Sequence, residues 1–392
     1  MELFHVLSKK VHRMYWTFVG RAVESENGEV EVTAKDAVTT SAALNAKTNV
    51  KVTSQANSAV LNETVTAEIG DITVSASTGI ETSKAIQAGT NVTLSSTNGN
   101  VTTGDKVTAT SGDVTVTTGA GNISVQAVEA GKDISLTTTE GNITNNGVLT
   151  ANRKVSLNAV TSGDINVDNK INGKNITIQT ANGKIESNAA GALTATTEGG
   201  TITVGATQGN IVLGGTATAD QKVEVEAAAG SVTLNGAVKS VNGEVDVTAK
   251  EAVMAGAAIQ ARTEVTLLSK NASVTVNDAI TAQGGNVKVT AETGIVVNRA
   301  VQGRRSCSSI EVSTVTARIF GADAPNSAAA SAAARIIAAP PTEWIVMRST
   351  PSLPPERTAR STVRGMSWNL RSRKTFLPRS FTAFTTSGPS AV

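Results

Sequence analysis

The sequence predicts an all-β fold: a single-stranded parallel β-helix of about 13 coils, each of about 21 residues, over residues 23–302. Three observations carry it. The segment repeats at a nearly constant period, each repeat holds three short alternating stretches, and whole residue classes are missing from it.

The repeat is plainest in three consecutive units, NVTLSS at 91–96, DVTVTT at 113–118 and DISLTT at 133–138, each followed by a Gly-Asn phrase and then a third apolar stretch. Their first apolar positions, Val92, Val114 and Ile134, lie 22 and 20 residues apart. A longer echo matches residues 27–50 to residues 242–265 at 15 of 24 positions without a gap. The register loosens around residues 190–220, where one coil is shorter or longer than its neighbours. Repetition at this period marks a solenoid whose units cannot bury their apolar faces alone.

Within each unit, apolar residues alternate at period 2, which places alternate side chains on one face of a strand. Segments of three to five residues are too short for an independent sheet. They become stable when each pairs in parallel with its counterpart one period on. Val92, Val114 and Ile134 then form one interior column, and Val101, Ile123 and Ile143 another. Coils stacked about 4.8 Å apart make a rod on the order of 60 Å long. Gly70, Gly99, Gly112, Gly121, Gly141, Gly163 and Gly209 each precede Asn or Asp, so the corners are expected to use glycine at positive φ and a side chain bonded to nearby backbone. Right-handed winding is expected from the general handedness of parallel crossovers.

Exclusion is the third signal. All eight prolines lie from Pro325 onward, and all ten aromatics, both histidines (His5 and His12) and the single cysteine, Cys307, fall outside residues 21–302. An inner coil donates backbone hydrogen bonds to the next, which proline cannot do. Residues 21–302 carry 19 basic and 27 acidic side chains, whereas residues 303–392 carry 12 basic and 4 acidic. A lone cysteine excludes an intrachain disulfide framework.

The ends differ from the middle. Residues 1–22 form a non-repeat N-terminal segment; the apolar run from Met14 to Gly20 is too short for a signal-peptide core and lacks a cleavage site. No stretch of eighteen apolar residues predicts a membrane span. Residues 303–392 are rich in Arg, Pro, Ser and Ala, with eleven arginines against one lysine, where residues 21–302 hold fifteen lysines and four arginines. This tail reads either as a disordered basic segment or as the product of a shifted reading frame, and no packed domain is expected there.

The phrases GDITVSA at 70–76 and AGTNVTLSS at 88–96 resemble the β-helical repeats of filamentous haemagglutinin-like exoproteins, the two-partner secretion adhesins of Gram-negative bacteria, and related autotransporter passengers. The resemblance covers about 280 of the 392 residues. It implies a secreted or cell-surface rod used for adhesion or aggregation, glycan or protein partners on host or bacterial surfaces, and export by an outer-membrane transporter. The chain departs from that pattern in having no Asn-Pro secretion motif and no C-terminal barrel sequence, so it reads as an internal fragment.

No catalytic, cofactor-binding or metal residues are expected. Asp71, Asp113, Asp133 and Asp164 interchange with Asn at corners, which is turn chemistry rather than acid–base pairing. They could stack to hold calcium, but the glycine-rich nonapeptide of calcium-binding solenoids is absent. A carbohydrate-active enzyme of pectate-lyase type is the alternative, yet Arg153, Arg262 and Arg299 are the only arginines inside the coils after Arg21, and loops to wall a pocket are minimal. A passive spacer is the third reading. Ice binding needs T-x-T at one fixed place in nearly every coil; Thr117-Thr118, Thr137-Thr138-Thr139 and Thr196-Thr197 read instead as solvated strand faces. The sequons at Asn62, Asn91 and Asn122 are chance matches in an Asn- and Thr-rich chain. The run from Arg371 to Lys374 reflects tail composition, and no nucleic-acid partner is expected. Uncapped end coils predict self-association through exposed strand edges.

Overall fold

The computed structural model describes residues 17–303, with side chains from residue 19, and backbone strands at 9–14, 308–312, 317–319, 334–338, 345–349 and 368–372. The described residues are all strand, turn and bend, with no helix among them. The chain winds as a β-solenoid of about 13 turns, with about 21 residues per turn. Each turn adds one strand to each of three parallel sheets.

A middle coil shows why. Val92–Ser96 belongs to the first sheet, Val101–Thr103 to the second and Val107–Ala109 to the third. Their alternating apolar residues all turn inward: Val92, Leu94, Val101, Val107 and Ala109 are buried, while the residues between them stay accessible. No coil can shield these side chains by itself. Parallel pairing supplies the lid, with Val92 opposite Val114, Val114 opposite Ile134, Val101 opposite Ile123 and Ile123 opposite Ile143. Both columns expected from the sequence are therefore in place. Each fully buried Val, Leu or Ile contributes about 1.5–3 kcal/mol.

Where the first-sheet strand ends, its last inward residue is small, either alanine or a serine or threonine, and in three coils a threonine there bonds the corner. Thr118, Thr138 and Thr180 are buried, and their hydroxyls donate to the carbonyls of Gly99 (2.8 Å), Gly121 (2.9 Å) and Gly163 (2.7 Å) one coil below. These three buried hydroxyls keep a partner, whereas those of Ser25, Thr40, Thr82 and Thr290 have none.

The corner glycines serve two purposes rather than the one expected. Gly121, Gly141 and Gly163 do adopt positive φ, of 156°, 144° and 137°. Gly99 and Gly209 are required by close approach instead: a Cβ would lie 1.4 Å from the Thr78 carbonyl oxygen and 1.7 Å from that of Gly183. The column presses backbone directly on backbone, and any side chain would push the coils apart.

Two features of the repeat stand out. The loosened register is one long coil: Ile176 pairs with Ile202 and Ile185 with Ile211, each 26 residues on, while neighbouring first-sheet steps are 20 to 22. The extra length lies in the connections at 188–192 and 196–200. Parallel pairing also runs past the limits of 23 and 302. Lys9–Met14 and Thr17–Val19 pair with Val30–Ala34 and Val38–Thr40, and Ser308–Val312 and Ala317–Ile319 pair with Val287–Ala291 and Gly294–Val297. Ala334–Ala338 adds in parallel, and Ile345–Ser349 and Trp368–Ser372 follow antiparallel. Backbone pairing needs only aligned donors and acceptors, so it can outlast the side-chain repeat from which the limits were drawn. The rest of the segments before residue 17 and after residue 303, Cys307 and Lys374 included, lies outside the described residues.

Candidate binding face

The corner carboxylates divide between two columns. In the first, each side-chain oxygen accepts the backbone N–H of the next coil: Asn49 from Asp71 (2.9 Å), Asp71 from Asn91 (2.9 Å), Asn91 from Asp113 (2.9 Å), Asp113 from Asp133 (3.0 Å) and Asp133 from Lys154 (2.9 Å). In the second, Asn100, Asn122, Asn142 and Asp164 accept in the same way from Asn122, Asn142, Asp164 and Lys184, at 2.7–2.9 Å. Asn and Asp interchange because the ladder uses only an acceptor oxygen, which both supply.

The hydroxyl of Thr90 holds the Asp71 carboxyl below the ordinary carboxylate range, and the Arg153 guanidinium does the same for Asp133. Among the described residues, no group of three or more His, Cys, Asp or Glu could hold a metal ion. The sequon residues Asn91 and Asn122 are committed to the ladders, and Asn62 accepts from the Ser83 hydroxyl at 3.2 Å.

The threonine clusters come apart once alternation is imposed. Thr117 and Thr137 face outward, whereas Thr118 and Thr138 are interior. The outward positions of the first sheet instead form two ranks that run-by-run reading of the sequence missed. Pairing aligns Thr73, Thr93, Thr115, Ser135, Ser156, Thr177 and Thr203 in one rank. It aligns Ser75, Ser95, Thr117, Thr137, Asn158, Gln179 and Gly205 in the other. Seven successive coils therefore present no charge in these ranks. The signal was available only by reading every second residue in register from coil to coil.

The face changes abruptly at the next two coils. Glu224 and Glu226 pair with Asp246 and Thr248. Lys222 lies 3.2 Å from Glu224, 3.4 Å from Glu244 and 3.9 Å from Asp246. Burial, with Glu224, Glu244 and Glu226 nearby, raises the Asp246 carboxyl despite the lysine. This group spans two coils and has one cation, Lys222. Of the exposed arginines within the coils, Arg153 is paired with Asp133, and Arg262 donates to Gln283 at 3.3 Å.

Between the uncharged and acidic stretches lies a depression of about 310 Å³. One side carries Asn158, Gln179 and Glu226; the other carries Val160, Ala181, Thr207 and Ala228. It opens where Gly205 contributes no side chain between Gln179 and Glu226. The longer coil underneath is anchored separately. Asp220, the sole buried charged side chain among the described residues, accepts from the Gly199 backbone at 2.8 Å and from the Asn242 side chain at 2.6 Å. The Gly199 N–H, joined by Asn242 and Gln221, holds this carboxyl below its ordinary range.

No family model, curated protein or solved structure matches the chain.

Proposed function

We propose that the chain is a structural and adhesive rod of a secreted or surface-held bacterial exoprotein, of the filamentous haemagglutinin kind its repeats resemble. The observation that carries this reading is the pair of aligned outward ranks, uncharged over seven coils and built from short hydroxyl and amide side chains. Such a face offers many equivalent hydrogen-bonding groups along the rod and few groups fit for chemistry. Contact distributed over many coils gains strength by multivalency rather than from one anchor. Its partners are glycans or proteins of a host or bacterial surface, and its end strands add self-association.

The test is retention of the full chain on bacterial and epithelial cell layers. The rod should be retained well above a control protein of equal size and charge. Replacing Thr73, Thr93, Thr115 and Ser135 together by Asp should cut retention about tenfold, while any one replacement changes it less than about twofold. Retention no greater than the control would overturn the reading.

A further inference from the structure

We infer that the depression over Gly205 is a discrete binding site for a neutral glycan with free adjacent hydroxyls. This deepens the contact-face reading and rests on it.

The two walls differ in chemistry. Asn158, Gln179, Gly205 and Glu226 occupy successive rungs of one rank, so the polar wall runs about 14 Å along the rod. Carboxamides and a carboxylate can each accept or bridge a pair of neighbouring hydroxyls. Opposite them, Val160, Ala181 and Ala228 make a mainly apolar wall, interrupted by Thr207, and Val160 is 47% exposed. A pyranose ring has the same division, with hydroxyls around its rim and C–H groups on its face. The volume of about 310 Å³ admits a short stretch of such rings rather than a large ligand.

Charge narrows the class. Glu226 stands at the site, with Glu224, Glu244 and Asp246 beyond it and Lys222 as their shared cation. This surplus repels uronic, sialylated or sulfated chains. A cationic peptide would engage only the Glu226 end and leave the amides and the apolar wall without a role.

Gly205 makes the site and also the test. It lies within the strand Thr201–Ala206, and a Cβ there would meet nothing nearer than the Gln179 Cγ at 3.8 Å. A larger residue therefore fills the depression without disturbing the coil. The full chain should be run in native gels containing dextran, mixed-linkage β-glucan, galactomannan, xylan or polygalacturonate.

At least one of the four neutral polymers should retard it, and polygalacturonate should not. Gly205→Gln, with an unchanged circular dichroism spectrum, should weaken that retardation about tenfold, and Glu226→Gln by less than about threefold. Overturning results are no retardation by any neutral polymer, undiminished retardation of Gly205→Gln, or loss in Glu226→Gln alone, which would point to a cationic partner. Cell-layer retention of the native chain, measured alongside, separates the two readings. Retention without polymer binding removes only this site, and polymer binding without retention removes only the adhesive role.

Discussion

The coils from Val92 to Ala151 and those from Ile176 to Ala228 use the same interior but different means of holding their corners. In the first set, successive coils are 20 to 22 residues apart, and Asn or Asp at a fixed place caps the next coil every time. The outer face that results is even. In the second set a 26-residue coil breaks the period, the buried Asp220 holds its connection in addition to the Asp164 and Asn210 caps, and Gly205 leaves the outer rank open. A strict repeat gives every coil the same surface and so gives no coil a site. The depression occurs where the repeat is broken.

The largest expected effect sharpens the part the two regions share. Leu136→Ala, in a column flanked by Val116 and Leu157, should cost about 2–5 kcal/mol in urea unfolding. Leu193→Ala should fall toward the lower end of that range, because its rung neighbour Ala217 is small and the adjoining connection at 188–192 can settle inward. Equal costs would contradict the difference drawn between the regions.

Two glycines give the next contrast. At Gly163 a Cβ would sit 1.7 Å from the Gly141 carbonyl oxygen, at a φ of 137°, so Gly163→Ala should cost about 1–3 kcal/mol or more. Gly205→Ala has open space and should change stability by less than about 0.5 kcal/mol. The same chemical unfolding measurement reads both.

The sequence showed the coils and their interior columns clearly, since Val92, Val114 and Ile134 announce themselves by type and spacing. It also showed the corner role of Asn and Asp. It did not show which of two columns each belongs to, because Asp133 and Asp164 look alike until pairing separates them. The depression was hidden for the same reason. Asn158, Gln179, Gly205 and Glu226 come from four coils, and the longer coil between Gln179 and Gly205 shifts the spacing that would align them. Lys9–Met14 was missed because its side chains do not repeat, while its backbone still pairs.

A smaller effect concerns pH. Asp71, Asp133 and Asp220 have carboxyls lowered in the folded state, so each contributes stability above its unfolded value, lost as pH falls through the folded one. Asp220→Asn should therefore reduce the acid sensitivity of amide exchange at 196–200 while leaving exchange in the coils from Val92 to Ala151 unchanged. Uniform change along the rod would contradict separate anchoring. Smallest of all, Asp133→Asn keeps the acceptor for Lys154 and loses only an exposed ion pair, so it should cost under about 1 kcal/mol.

Isoleucine methyl NOEs test the stacking most directly. Ile123, Ile143, Ile165, Ile185 and Ile211 occupy successive rungs of one interior column. In protein labelled only at isoleucine δ1-methyls, each should show an NOE to the next, including Ile185 to Ile211 across the 26-residue coil. An unbroken chain of contacts through all five is the predicted result. Contacts that stop at Ile185, or that join isoleucines of non-adjacent rungs, would contradict the continuous solenoid and the register that brings the four rungs of the depression together.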